Sequence, residues 1–248
     1  MRSRPAALLA LLLLALAFAG ATGPAARPVG RLGFFIGDVR CRAGAGPWAG
    51  ARLDQSLTTA DELRTGKESR AELVLGESTV RLGENSQLRL SQLKVEGGRA
   101  EGTVELLFGS LWSRLKNLGG SGLQVKSPTA VMAVRGTTFR AEAAADSSLA
   151  MWVYEGQVEM GAARPFAPAA SDQAGAGNAT GAPQPAAGPR PVPGPYEVTL
   201  DEWVRVTQGM RFTLRRDGRY ALEAIEARRD SLLGWVRWNQ ERDAAAHD

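Results

Sequence analysis

Between Gly30 and Met160, apolar residues recur at every second position in short runs, and a turn signal closes each run. Ala71, Leu73 and Leu75 alternate with Glu72 and Val74; Val80 and Leu82 follow, then Leu88 and Leu90, Leu93 and Val95, and Val104, Leu106 and Phe108. Gly76-Glu77-Ser78, Gly83-Glu84-Asn85 and Gly97-Gly98 separate these runs. Period-two alternation broken at intervals of roughly 8–12 residues describes an all-β sandwich, barrel or roll. Polar partners on the alternate positions imply one wet face. Two later runs, Thr129–Val134 and Leu149–Tyr154, are apolar on both parities and are expected to be covered on both faces.

The ends and one interior segment break this pattern. Arg2 and Arg4 precede an apolar run from Pro5 to Ala19, and small residues follow in Ala17-Phe18-Ala19-Gly20-Ala21. Such a start describes a cleavable signal peptide over residues 1–21, with cleavage after Ala19 or Ala21. The run is shorter than the roughly 20 residues that a membrane helix requires. No other stretch is long and apolar enough to span, so the mature chain is expected in the periplasm or secreted, with no membrane span after cleavage. Residues 161–195 contain 8 Pro, 11 Ala and 6 Gly, too few core-forming side chains to offset chain entropy, and are expected to be disordered. Alternation returns over 196–216 at Tyr196, Val198 and Leu200, at Val204 and Val206, and at Met210, Phe212 and Leu214. Two isolated strands are unstable, so these are expected to rejoin the sheet of residues 30–160. From Arg219 the spacing of Leu222, Ile225, Leu232, Leu233 and Val236 predicts a C-terminal helix over 219–242, with Asp230-Ser231 as a cap for a second helical piece. Trp235 and Trp238 share one of its faces and are expected to pack on the sheet. The fold expected is a twisted β-roll, solenoid or sandwich of short strands with this helix and the Pro/Ala-rich insertion.

Charge and chemistry exclude several functions. Arg and Lys are interspersed with Asp and Glu, and removal of Arg2 and Arg4 with the leader lowers the formal charge of +4 by two. Nucleic acid is therefore not an expected partner. His247, the single histidine, sits beside the C-terminus, where a general base is poorly held, so no catalytic residue is assigned. One Cys and one His do not make a structural zinc site, and no Gly-rich loop opens a helix, so no metal and no cofactor are expected. Cys41 follows Val39 in an alternating run and reads as a small buried hydrophobe. Trp48, Trp112 and Trp203 are candidates for a binding surface, since aromatics serve interfaces as well as cores.

Several segments in order then resemble the FecR domain. They are Gly37-Asp38-Val39, Leu57–Gly66, Ser69–Leu75, Val80–Ser86, Leu107–Trp112 and Val134-Arg135-Gly136-Thr137-Thr138-Phe139. Val134, Arg135, Gly136, Thr137 and Phe139 carry the family signature. That run is either a ligand site or a bend that closes the fold, and the bend, with Arg135 paired to a carboxylate, is the favoured reading. The resemblance implies an envelope regulator, some of whose relatives receive a signal at the outer membrane and control a sigma factor inside the cell. With four residues ahead of the apolar run, a direct anti-sigma role is not expected. The reading is a non-enzymatic adaptor or sensor with an envelope protein partner. Its alternatives are a module that binds peptidoglycan or another envelope glycan and, less favoured, a carbohydrate-active enzyme.

Overall fold

A computed structural model of the chain describes residues 27–116, 122–163, 198–199 and 203–246. The leader at 1–21, residues 164–195 and His247 lie outside the described residues. Among those described, the chain forms β1 (Pro28–Ile36), β2 (Val39–Ala43), β3 (Ala49–Gly50), β4 (Ser56–Thr58), β5 (Asp61–Thr65) and β6 (Arg70–Leu75). Next come β7 (Ser78–Leu82), β8 (Gln87–Glu96), β9 (Arg99–Arg114), β10 (Leu123–Lys126), β11 (Ala130–Val134) and β12 (Thr138–Ala143). Then follow β13 (Leu149–Glu155), β14 (Gln157–Ala162), β15 (Val198–Thr199), β16 (Val204–Thr207), β17 (Met210–Leu214) and β18 (Arg219–Ala224). Two helices, α1 (Ala227–Asp230) and α2 (Gly234–Ala245), end the described chain. No helix among the described residues is long and apolar enough to cross a membrane.

The fold is all-β, in two layers. The first sheet runs β4-β1-β6-β7-β9-β12-β13-β17-β18-β15. The second runs β3-β2-β5-β8-β9-β10-β11-β14-β16. Neighbours are antiparallel except β9 and β10. β9 belongs to both sheets: its first half pairs with β8 and β10, its second half with β7 and β12. The crossing lies at Gly109, whose φ of +95° suits glycine and whose missing Cβ leaves room for Ser86. Alternate residues of each strand point inward. Leu32, Leu63, Leu73, Val80, Leu88, Leu106, Leu111, Met132, Phe139, Met151, Val158 and Phe212 fill the space between the layers, each fully buried. Cys41 lies in this core as a free thiol, pushed up to about 11 by burial and then by the charge of Asp61.

Four expectations are corrected. Residues 219–242 are not one helix: Arg219–Ala224 is strand β18, which turns back from β17 through Asp217-Gly218, and Tyr220 stacks on Phe212 at 5.2 Å. An edge strand offering a hydrogen-bond ladder outweighs a weak helical stripe. Leu222, Leu232 and Leu233 are exposed, and in α2 only Val236 and Asn239 are buried. Leu233, not Asp230-Ser231, stands at the N-cap of α2, and no side chain caps it. The runs at 129–134 and 149–154 are not buried on both faces, since burial alternates along β11 and β13. Val131 and Ala133 are half-buried on the outer face, which small apolar side chains tolerate. Leu88 to Val95 is one strand, β8, with an irregularity in its register between Leu90 and Leu93.

Candidate functional site

The outer face of the first sheet carries one continuous cross-strand row. Register places Phe34 beside Glu72, Glu72 beside Arg81, Arg81 beside Trp112 and Trp112 beside Arg140. It continues from Arg140 to Trp152, Arg211 and Glu223. The row spans β1, β6, β7, β9, β12, β13, β17 and β18. In the central strands each member is flanked in sequence by inward-pointing core residues, as Arg81 is by Val80 and Leu82, and Arg140 by Phe139 and Ala141. Alternation then turns it outward. Strand pairing aligns residues that sequence scatters from 34 to 223.

The C-terminal segment, residues 226–246, lies across the middle of this row and binds it through charge. Arg81 Nε donates to Glu72 and its Nη1 to Asp243, each at 2.6 Å. The second Asp243 oxygen accepts the Trp112 indole N–H at 2.8 Å. Arg242 donates to both Glu72 oxygens at 3.0 and 3.1 Å. Asp230 takes one hydrogen bond from Arg140 Nη2 and one from the Tyr154 hydroxyl, both at 2.7 Å. Arg81 and Arg140 are 2% and 1% exposed. Guanidinium is flat and weakly hydrated, so it tolerates burial against aromatic faces better than ammonium does. Arg140 stacks 3.7 Å from the Trp152 ring, Arg211 lies 5.0 Å from that ring on the neighbouring strand, and Arg242 lies 4.5 Å over Phe34. Burial pushes the Glu72 carboxyl up, but the hydrogen bonds and charges of Arg242 and Arg81 outweigh it and hold Glu72 below the usual carboxylate range. Burial raises Tyr154 strongly, and the Asp230 hydrogen bond adds to it.

Beyond Asp230 the cover ends. A cavity of about 270 Å³ opens over the far end of the row, bounded by Arg140, Trp152 and Arg211 below. Glu223, Ile225, Arg229 and Leu233 form its sides. Among the described residues, Arg211 Nε and Arg140 Nη1 are buried there without a hydrogen-bond acceptor.

The family model described as FecR protein matches residues 61–159. These residues are a FecR domain. No curated protein matches the chain. Two crystal structures of a candidate anti-sigma factor from Parabacteroides distasonis are similar at 15% identity, with TM-scores of 0.47 and 0.48. The matches cover 70% and 71% of this chain, and the chain spans 64% of the length of each of those structures. The FecR domain runs from β5 to β14 and supplies the centre of the row, Glu72 to Trp152. Phe34, Arg211 and Glu223 are added from outside it.

The FecR signature is a corner between the layers. Val134 ends β11 in the second sheet and Phe139 stands in β12 of the first, both buried. Gly136 has φ +61°, and its carbonyl lies so close to Gly156 that a Cβ there would be 2.8 Å away. The Thr137 hydroxyl donates to the Gln157 carbonyl at 2.9 Å and locks the bend. Arg135, expected to pair with a carboxylate, is exposed and has no such partner among the described residues. The chain reverses there, so its side chain leaves the sheet for solvent.

The three tryptophans proposed as one surface are not brought together. Trp112 is 1% exposed, stacked on Tyr154 at 4.6 Å and bonded to Asp243, so it is no open platform. Trp48 is half-buried at the far edge of the second sheet, with the Arg42 and Arg64 guanidiniums 4.6 and 4.8 Å from its ring. Trp203 is 57% exposed and packs by Gly161 near the opposite edge. On the outer face of the second sheet, Glu62 accepts from Arg42, Arg89 and Gln87 at 2.7–2.8 Å. Burial raises the Glu62 carboxyl, but these donors prevail and hold it low. Among the described residues no three His, Cys, Asp or Glu side chains are grouped as metal ligands.

Proposed function

We propose that this chain is an exported, non-enzymatic adaptor or sensor in bacterial envelope regulation, and that it receives a protein partner on the outer face of its first sheet rather than acting as the anti-sigma element itself. The FecR domain supports a signalling role. The observation that carries the choice of face is the half-covered row. Its middle is bound by the chain's own C-terminal segment through ion pairs and hydrogen bonds, while its end stays open beside Ile225 and exposed Leu233. Contacts of this polar kind are typical of exchangeable interfaces, whereas permanent ones are more apolar.

The glycan reading requires a row of open indoles, and Trp112 and Trp48 are already occupied by Asp243 and by arginines. An acid catalyst requires a carboxyl held high, and Glu62 and Glu72 are both held low. A photo-crosslinking side chain placed at Ile225, Leu233 or the remote exposed Leu53 tests the face in the source bacterium. Capture of one envelope protein from Ile225 and Leu233, with none from Leu53, is the expected result. Equal capture from all three positions, or none from the first two, refutes it.

A further inference from the structure

Within the covered part of the row, the C-terminal segment shows how this face is read. Asp243 sets one oxygen on Arg81 and the other on the Trp112 N–H, and Asp230 sets one oxygen on Arg140, which itself stacks on Trp152. Each contact is an acidic side chain laid over a guanidinium beside an indole. Arg211 is the next arginine in the row and lies beside the same Trp152 from the neighbouring strand β17, as Arg140 does from β12. The C-terminal segment supplies it with no carboxylate. The cavity of about 270 Å³ stands over it instead.

We propose that this cavity binds an acidic side chain, Asp or Glu, from the partner polypeptide; the inference rests on the proposed partner-binding face and names the chemistry of what docks there. Three cations and three carboxylates line the cavity, and their pairing decides the fit. Asp230 is committed to Arg140 and Tyr154. Glu226 faces Arg229 at 3.9 Å. Glu223 reaches Arg211 only at 3.8 Å, is half exposed, and leaves Arg211 Nε without an acceptor. Among the described residues, an incoming carboxylate therefore competes with Glu223 alone. It can engage the guanidinium edge in the planar geometry that makes Arg–carboxylate pairs strong. Ile225 and Leu233 at the rim give apolar contact for the residues beside it.

The test is an NMR titration of the full mature chain with N-acetyl-aspartate N-methylamide, read at the Arg211 Nε–H and Trp152 indole signals. The asparagine analogue and sodium chloride at equal ionic strength are the controls. Saturable shifts with the aspartyl probe alone are expected, with the Trp112 indole signal unmoved because Asp243 already holds it. Arg211→Gln should abolish the response, with an unchanged Trp112 signal showing that the fold is kept. Glu223→Gln should tighten binding by about threefold, since it removes a weak surface competitor. Equal shifts with the asparagine analogue or with chloride, or a response that survives Arg211→Gln, overturn the proposal. If crosslinking from Leu233 captures the partner equally well in Arg211→Gln, the carboxylate pocket falls and the partner face stands. If crosslinking fails while the titration succeeds, the partner face falls instead.

Discussion

Replacing Asp230 with alanine removes the two carboxylate oxygens by which the C-terminal segment holds Arg140 and Tyr154. Among the described residues Arg140 then keeps a single carboxylate, Glu142, at 3.5 Å from its Nε, with its side chain 2% exposed in the docked state. Tyr154 loses its hydroxyl acceptor. Breaking a buried ion pair from one side costs about 3–5 kcal/mol, because the charge left behind is desolvated without compensation. The orphaned hydroxyl would add about 1–3 kcal/mol if the segment stayed docked. The segment can lift instead and let water reach Arg140, so the loss is capped at the docking free energy of residues 226–246. The expected outcome is a destabilisation of about 3–5 kcal/mol in urea melts, or roughly 6–20 °C in melting temperature for a chain of this size. Faster trypsin cleavage after Arg228 and Arg229 should accompany it. Arg140→Met in the same chain should recover much of the loss, with a coupling energy of about 2 kcal/mol or more. If the two substitutions add to within about 0.5 kcal/mol, the pair does not anchor the segment and the reasoning fails.

Glu72 supplies a pH test. Its folded pKa is depressed, so its contribution is present above the unfolded carboxylate value of about 4.3 and is lost as pH falls through the lower folded value. Melting temperature should therefore drop with acid, and Glu72→Gln should be less stable at neutral pH with a shallower acid slope; parallel curves would count against the assignment. Gly109→Ala should cost about 1–3 kcal/mol in urea melts, because φ is +95° and a Cβ meets Ser86. Gly44→Ala, with φ +53° but open space around it, should cost less. Cys41, buried and raised to about 11, should resist a thiol reagent at pH 8 in the folded protein and react fully in denaturant.

The sandwich was legible because core residues such as Leu73, Val80, Leu88 and Leu106 announce strands by alternation alone. The row was not. Glu72, Arg81, Arg140 and Arg211 occupy the outward parity, which a single strand presents as ordinary wet-face positions. What dries them is a segment far along the chain; Arg140 and Asp230 are 90 residues apart and Arg81 and Asp243 are 162. A charged or indole side chain held between two core residues in strand after strand was the available signal. Trp112 was misplaced for the same reason, since its cover comes from Asp243. β18 was missed because Leu222 and Ile225 fit a helical spacing, while the decisive fact, an open edge on β17, exists only once the sheet is built.

The two-sheet path of β9 bears on where this molecule can be cut. Strands of the two layers alternate along the chain, so a fragment with the bounds of the family match, 61–159, would keep β5 to the first half of β14 and discard the strands that flank them. β6 would lose β1, β5 would lose β2, β13 would lose β17 and β14 would lose β16. Four ladders would be bared at once, two on each layer, together with the arginines that residues 226–246 shield. Such a fragment should collect in the insoluble fraction or pair with copies of itself. The unit that folds is therefore wider than the unit that sequence comparison recognises.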